Sequence, residues 1–162
     1  MKKYQTIENY NKKAKDYNKI RGFNPEIIKK LKSIFKKGTL LSLGCGSGVY
    51  ERQLKKHKFK IVGIDHSKSM VNLTRKKGIK CFQGSITNMP MFKPETFDGT
   101  YEIRTIHHIG DNFKITQTQR NKLRQQAVNE AYRILKKDKK FVSVNADPIQ
   151  NKALWFWYYF PE

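Results

Sequence analysis

The sequence predicts an α/β fold, in which a mostly parallel sheet carries helices on both of its faces. Short apolar runs alternate with segments of helical periodicity along most of the chain, which is typical of parallel strands joined by crossover helices. One apolar run, residues 40–43, passes directly into Gly44, Gly46 and Gly48, and a helix can begin at Val49. Because glycine lets a backbone approach a ligand closely, a ligand site is expected at this edge of the sheet.

The strands are predicted from five short runs rich in apolar residues. These runs are residues 40–43, 59–64, 79–83, 97–103 and 141–144. In the expected order of such a sheet, the third strand lies outermost on one side. The lysine-rich residues 136–140 are predicted to form the turn before the fifth strand. Residues 89–92 (Met-Pro-Met-Phe) are predicted to form an apolar lip in the loop before the fourth.

The helices are predicted from the residues at their ends. Asn24 and Pro25 indicate a helix start, since Asn caps helices and Pro is favoured at the first helical position. Ser67 is expected to cap the helix after the second strand, and Gly78 to end it. A loose amphipathic helix is predicted within residues 1–23, and a longer helix before the fifth strand. The residues expected to face inward from the helix that Ser67 caps are Met70, Val71 and Leu73.

The length of 162 residues is enough for one domain with a single core, so residues 1–162 are predicted to form one domain. Its parts are a helical segment at 1–38, a ligand-binding core at 39–145 and an aromatic tail at 146–162. The tail is dense in Trp, Tyr and Phe, and we expect it to pack on the sheet or on a partner.

The charge of the chain points to a polyanionic partner. Thirty-four Lys and Arg residues against thirteen Asp and Glu residues give a formal charge of +21, which favours nucleic acid. A surface rich in lysine for other reasons is the alternative, and charge alone leaves both open. Neither a long apolar run nor an apolar signal core is present, so a cytoplasmic protein without membrane contact is expected. Cys45 and Cys81 are expected to be free thiols that hold no metal.

Asp65 is the second feature of the expected ligand site. It follows the second predicted strand, seventeen residues beyond Gly48. A carboxylate there is placed to accept hydrogen bonds from both ribose hydroxyls of an adenosine ligand. Position 49 is Val, so the spacing is G-x-G-x-G, which favours S-adenosylmethionine over the dinucleotides bound by G-x-G-x-x-G. A glycine turn that binds no ligand is the alternative.

Four segments carry a resemblance to a known family. These are residues 43–48 (Leu-Gly-Cys-Gly-Ser-Gly), 63–65 (Gly-Ile-Asp), 97–101 (Phe-Asp-Gly-Thr-Tyr) and 132–136 (Tyr-Arg-Ile-Leu-Lys). On these segments the chain resembles the class I S-adenosylmethionine-dependent methyltransferases. The resemblance extends over essentially the whole length of the chain. The resemblance implies a Rossmann-like sheet, S-adenosylmethionine as cofactor and methyl transfer as the reaction.

A narrower resemblance concerns the substrate. Residues 10–21, the helix at Pro25 and residues 106–109 (Ile-His-His-Ile) are similar to the eukaryotic tRNA wobble-uridine methyltransferases. These enzymes esterify a carboxymethyl group on uridine and work with a small zinc-containing activator subunit. The resemblance therefore implies tRNA as substrate and such an activator as partner. The third strand, with its open edge, is the expected docking place.

The candidate site residues follow from these motifs. The candidate cofactor-binding residues are Ser42, Gly44, Cys45, Gly46, Gly48, Asp65, His66, Ser85, Ile86 and Tyr101. The candidate catalytic residues, which would bind a carboxylate acceptor, are Arg21, Arg104, His107 and His108. One of the two histidines is expected to be structural, and Tyr101 is expected either to stack on a base or to belong to the core.

The sequence departs from the family at three places. Ser42 and Ser85 stand where the family usually has acids that contact the cofactor, and residues 137–139 replace a Pro-Gly-Gly turn. Each lost carboxylate removes a charge-assisted hydrogen bond, on the order of 1.5–3 kcal/mol in a buried site. Two alternatives remain. One is a small-molecule methyltransferase, and the other is a non-catalytic RNA-binding or scaffold relative with a weakened cofactor pocket.

Overall fold

The computed structural model describes residues 10–11, 14, 23–110 and 114–145. The elements in chain order are α1 (Pro25–Ile34), β1 (Gly38–Leu43), α2 (Val49–Lys55), β2 (Phe59–Asp65), α3 (Lys68–Lys76), β3 (Lys80–Gln83), β4 (Phe97–Ile103), a 3-10 turn (Ile106–His108), α4 (Gln117–Arg133) and β5 (Leu135–Val144). The predicted helix in residues 1–23 lies mostly outside the described residues, and the predicted aromatic tail lies wholly outside them.

The five strands form one sheet in the order β3-β2-β1-β4-β5. All four strand pairs are parallel, and Leu41 at the centre of β1 faces Val62 on one side and Thr100 on the other. The predicted fold class and the outermost position of the third strand are confirmed. Parallel strands bring their carboxyl ends to one edge of the sheet, and this edge holds the candidate site.

The alternation of β1 divides the core between the two faces of the sheet. Leu40 points toward α1, where it packs with Leu31 and Phe35. Leu41 points to the other face, where it packs in the cluster that includes Ala131 of α4. Burying a leucine side chain contributes about 1.5–3 kcal/mol, so both faces hold the central strands in place.

Both predicted helix caps are confirmed. The Asn24 side chain accepts a hydrogen bond from the backbone N–H of Glu26 at 2.9 Å, and the Ser67 hydroxyl accepts one from Met70 at 3.3 Å. The inward face of α3 is rotated from the predicted one, because Thr74 is fully buried whereas Leu73 is only partly buried. The Thr74 hydroxyl donates to the carbonyl of Gly46 at 2.8 Å, and this bond explains a polar residue at a buried position.

The predicted apolar lip at residues 89–92 is wrong for two of its residues. Met89 and Phe92 are buried in the core, whereas Pro90 and Met91 are exposed. The loop is held down by Arg133, whose guanidinium donates to the carbonyls of Met89 and Phe92 at 2.9 Å and 3.0 Å. Since these donors come from the far end of α4, the local sequence does not indicate them.

The predicted lysine turn at residues 136–140 is also wrong. β5 begins at Leu135, which pairs with Phe97, and the next pair joins Lys140 to Gly99. Three more residues lie between these pairs on β5 than on β4, so the lysine segment bulges out of the strand instead of preceding it. Charged residues fit this place because the bulge is exposed.

Candidate functional site

The turn between β1 and α2 is held against the end of β2. Gly44 has a φ of 68°, and its N–H donates to the carbonyl of Ile64 at 2.8 Å. The N–H of Gly46 donates to the Asp65 carboxylate at 2.8 Å. The other oxygen of Asp65 accepts the N–H of Ser67 at 2.9 Å. Asp65 therefore supports the turn and the start of α3 as well as facing the expected ligand.

Two of the motif glycines are required by neighbouring threonines. A Cβ at Gly44 would lie 2.2 Å from a side-chain carbon of Thr105, and a Cβ at Gly48 would lie 2.8 Å from the Thr74 hydroxyl. Both glycines also have a positive φ, which side chains disfavour. The motif predicts a closely approaching ligand at these glycines, and the structure adds close packing of the turn as a second cause.

A cavity of about 330 Å³ opens at the carboxyl ends of β1, β2, β3 and β4. This volume is in the range of small-molecule sites, roughly 300–1,000 Å³. Eight of the predicted residues line the cavity: Gly44, Gly46, Asp65, His66, Ser85, Ile86, Arg104 and His108. Tyr10, Met70 and Leu123 line it too, although the motifs did not indicate them.

Five other predicted residues do not line the cavity, and one is outside the described residues. Those five are Ser42, Cys45, Gly48, Tyr101 and His107. Cys45 is buried as a free thiol with its sulfur 3.4 Å from that of Cys81, and Gly48 is the residue before α2. Arg21 lies outside the described residues, so its place in the site stays a prediction.

The prediction that Tyr101 stacks on a base is wrong, and its alternative, a core role, is correct. Its side chain is fully buried on the face of the sheet that α1 and α2 cover. The phenol donates to the Glu51 carboxylate at 3.1 Å, and the Ser42 hydroxyl donates to the same oxygen at 2.7 Å. Ser42 therefore binds Glu51 of α2 and does not line the cavity.

Glu51 is a buried acid that the sequence analysis missed. Only 2% of its surface is exposed, and among the described residues its second carboxylate oxygen has no hydrogen-bond partner. Burial raises the pKa of Glu51, while the bond from Ser42 opposes that rise. Glu51 lies three residues before the buried Leu54 on α2, so the two side chains share the inward face of the helix. This spacing is the sequence signal that could have indicated its burial.

Asp65 is the only carboxylate that lines the cavity among the residues the structure describes. Burial raises the pKa of its carboxyl, and the two backbone N–H donors, from Ser67 and Gly46, oppose the rise. Each carboxylate oxygen has room for two hydrogen bonds, so both can still accept one from a ligand hydroxyl. Asp65 therefore suits the role in ribose binding that the motif predicts.

The segment after β4 forms the other wall of the cavity. Arg104 has a φ of 56°, and its N–H donates to the carbonyl of Val144 at 2.8 Å. Such a backbone conformation is uncommon outside glycine, and it often marks a functional position. His108 faces the cavity, with its Nε2 3.4 Å from the hydroxyl of Tyr10. His107 points away, toward Asn145.

The arrangement defines a class of protein. Its features are a parallel Rossmann-like sheet, a glycine turn after the first strand and a carboxylate after the second, with a cavity where the strands end. This is a domain that binds an adenosine-containing cofactor. The family described as "methyltransferase domain" matches residues 41–143. The chain therefore belongs to this methyltransferase family, as the sequence analysis predicted.

The chain is similar to two curated proteins that are themselves uncharacterised. One is a methyltransferase of Schizosaccharomyces pombe, 29% identical over 102 residues, which are 59% of this chain and 39% of that protein. The other is a protein of Methanocaldococcus jannaschii, 32% identical over 137 residues, which are 82% of this chain and 58% of that protein. The chain thus spans about two fifths to three fifths of the length of these relatives.

Solved structures of methyltransferases share the fold. A SAM-dependent methyltransferase of Thermotoga maritima, described as a possible histamine N-methyltransferase, is 29% identical with a TM-score of 0.57. The match covers 71% of this chain and 48% of that one. A complex of the Haloferax volcanii Trm112 methyltransferase activator with a protein assigned as a methyltransferase is 19% identical, with a TM-score of 0.69. This match covers 94% of this chain and 64% of that one.

The residues at the cavity fit S-adenosylmethionine, the cofactor that the family and these relatives indicate. Asp65 is placed for the ribose, while Met70 and Ile86 offer an apolar wall for the adenine. Gly44 and Gly46 of the turn line the same cavity. The predicted cofactor is thereby confirmed for the family to which this chain belongs.

Two further observations concern membranes and metal ions. No helix among the described residues is both long and apolar enough to cross a membrane. In the same part of the chain, no three His, Cys, Asp or Glu side chains come together in a way that could hold a metal ion.

Proposed function

We propose that the protein is an S-adenosylmethionine-dependent methyltransferase that esterifies a carboxymethyl group on the wobble uridine of tRNA. The observation that carries the proposal is the meeting of Asp65, on the cofactor side, with Arg104 and His108 around one cavity. Family membership supports the methyl transfer. The resemblance of residues 106–109 to the tRNA enzymes supports the acceptor, as does the charge of +21.

The chemistry asks for alignment more than for acid–base catalysis. The cofactor, when bound, supplies a methyl group on a sulfonium, and a carboxylate acceptor is already ionised at neutral pH. Arg104 can orient such an acceptor, because its planar guanidinium matches a carboxylate with two parallel hydrogen bonds. The bond from its N–H to Val144 holds the backbone from which that side chain extends. No general base is required.

A small-molecule acceptor is the second candidate. It is favoured by the Thermotoga maritima protein, which is described as a possible histamine N-methyltransferase and is 29% identical to this chain. An amine acceptor would have to lose a proton before or during transfer, so the reaction would need a base. The two candidates therefore differ in the charge that the acceptor brings to Arg104.

The test is methyl transfer from radiolabelled S-adenosylmethionine to tRNA bearing carboxymethyluridine, with histamine offered in parallel. Arg104→Asn is the informative variant, because Asn tolerates the left-handed backbone and removes the charge. Its kcat/KM for tRNA should fall about 10- to 150-fold, as expected for a lost hydrogen bond to a charged group. Arg52→Gln, on the exposed side of α2, removes the same charge as a control. Methylation of histamine but not of tRNA would refute the proposed acceptor.

We also propose that a Trm112-type activator binds along β3. The Haloferax volcanii complex supports a partner of this kind, because in that complex a chain of the same fold is bound to such an activator. β3 is an outer strand, so one of its edges has no neighbouring strand within the described sheet. On it, Lys80 lies over the ring of the half-buried Phe82, with 5.3 Å between the amine and the ring centre. An open edge with such side chains can pair with another chain.

Co-expression tests the activator proposal. With a Trm112-type protein present, the melting temperature and the cofactor affinity should both rise, because a partner that binds only the folded state stabilises it. Proline at Cys81 would disturb the core, so the blocking variant is Lys80→Pro, at the first residue of the strand. Lys93→Pro, in the exposed loop before β4, is the control. Equal values with and without the activator would exclude this partner.

A further inference from the structure

Glu102 is a buried acid at the carboxyl end of β4 that the cofactor motifs do not explain. Its side chain is fully buried. One carboxylate oxygen accepts the backbone N–H of Thr105 at 2.7 Å and that of Ile106 at 3.3 Å. These N–H groups begin the 3-10 turn that carries both histidines. Glu102 therefore holds the start of this turn against the end of β4.

The other oxygen of Glu102 binds the end of β5. It accepts hydrogen bonds from the Ser143 hydroxyl and from the side-chain amide of Asn145, the latter at 2.9 Å. Four donors thus surround one buried carboxylate, which is the number that its two oxygens can accept. Removal of one donor would leave the buried carboxylate short of a hydrogen bond and would destabilise the folded chain. The four donors and the carboxylate therefore hold one another in a fixed geometry.

Asn145 extends this network to His107. Because its amide nitrogen donates to Glu102, its oxygen is left to face Nδ1 of His107, at 3.3 Å. An amide oxygen only accepts, so this contact favours the tautomer of His107 that carries its hydrogen on Nδ1.

His107 in turn packs against His108. The two ring centres are 4.0 Å apart with 45° between the ring planes. His108 lines the cavity, and its Nε2 lies 3.4 Å from the Tyr10 hydroxyl. The contacts therefore run from Glu102 through Asn145 and His107 to the histidine at the cavity.

We propose that Glu102 and Asn145 are positioning residues for this histidine pair. They hold the ring of His107 in one tautomer and one orientation, and His107 holds His108 against the cavity wall. The role of His108 toward an acceptor rests on the proposed function. The positioning itself does not, since it concerns contacts within the chain.

The deciding experiment is ¹⁵N NMR of the imidazole rings in the whole chain, recorded at about pH 9, where histidines are neutral. The parent should show His107 as the Nδ1–H tautomer. Asn145→Ala should mix the tautomers of His107 and shift the signals of His108. Ser143→Ala removes the other side-chain donor to Glu102 and one acceptor of the Asn145 amide, but it leaves the bond from Asn145 to Glu102, so it should keep the parent tautomer. Parent-like rings in Asn145→Ala would overturn the proposal.

Glu102→Gln provides a second test with a different expected result. The new amide donates toward Asn145, so Asn145 should turn its oxygen to position 102 and its nitrogen to His107. His107 should then change to the Nε2–H tautomer. An unchanged tautomer in a folded Glu102→Gln chain would overturn the relay through Asn145.

Activity provides a separate measurement with tRNA bearing carboxymethyluridine as the probe. Asn145→Ala should lower kcat/KM for this tRNA about 5- to 10-fold, the effect of about one hydrogen bond, with cofactor affinity within about twofold of the parent. Equal loss in Ser143→Ala would overturn the proposal. A parent that methylates no tRNA refutes the proposed acceptor instead, and the NMR measurements then decide the positioning on their own.

Discussion

Asp65 links the cofactor to the stability of the turn, so its removal should be seen in two measurements at once. Its two oxygens accept the N–H groups of Gly46 and Ser67 at 2.8 Å and 2.9 Å, and the residue also lines the cavity. A hydrogen bond to a charged group contributes about 1.5–3 kcal/mol. The two backbone bonds together contribute about 2–4 kcal/mol, because Asp65 is only half-buried and water can partly replace them.

Asp65→Ala should therefore lower the free energy of unfolding by about 2–4 kcal/mol. It should also weaken S-adenosylmethionine binding by about 1.5–3 kcal/mol, or about 10- to 150-fold. Asp65→Asn keeps one accepting oxygen, so it should fall between the parent and Asp65→Ala in both measurements. Calorimetric titration gives the affinity, and urea denaturation gives the stability.

Asp98→Asn is the matched control for this series. Its carboxylate also accepts a backbone N–H, that of Thr39 at 2.8 Å, but it lies near the amino ends of the strands, away from the cavity. The variant should lose stability without losing cofactor affinity. An Asp65→Ala chain that binds the cofactor as tightly as the parent would refute the assigned site. So would an Asp98→Asn chain that loses affinity to the same extent.

Two further predictions concern pH and salt. Because burial raises the pKa of Glu51, the folded state binds the proton of its carboxyl group more tightly than the unfolded state does. The contribution of Glu51 to stability therefore falls as pH rises from the ordinary carboxyl pKa, about 4.3, through the raised pKa of the folded state. Glu51→Gln lacks that proton, so its stability relative to the parent should increase across this window in urea denaturation from pH 4 to 8; a constant difference would contradict the explanation. If the charge of +21 serves tRNA, the affinity for tRNA should fall steeply with salt, since each neutralised phosphate releases a counterion. A weak dependence in filter binding between about 50 and 200 mM salt would leave the lysines without this role.

The sequence alone determined those features that depend on neighbouring residues. The caps at Asn24 and Ser67 each join a side chain to an N–H two or three residues away, so the local sequence contains both partners. The glycine turn and Asp65 are likewise read from a strand and the residues that directly follow it. Alternating strands and helices are enough to predict a parallel sheet, and with it the edge at which these residues meet.

Only the tertiary structure decided which face each strand residue occupies and which distant groups meet it. The period of two in β4 indicates that Tyr101 and Glu102 point to opposite faces, but not that Tyr101 meets Glu51 of α2 while Glu102 meets Asn145 beyond β5. A buried carboxylate is stable only when donors reach it, and for each of these two acids one donor comes from 43 or more residues away in the chain. For the same reason the sequence could not separate His107, which points to Asn145, from His108, which lines the cavity.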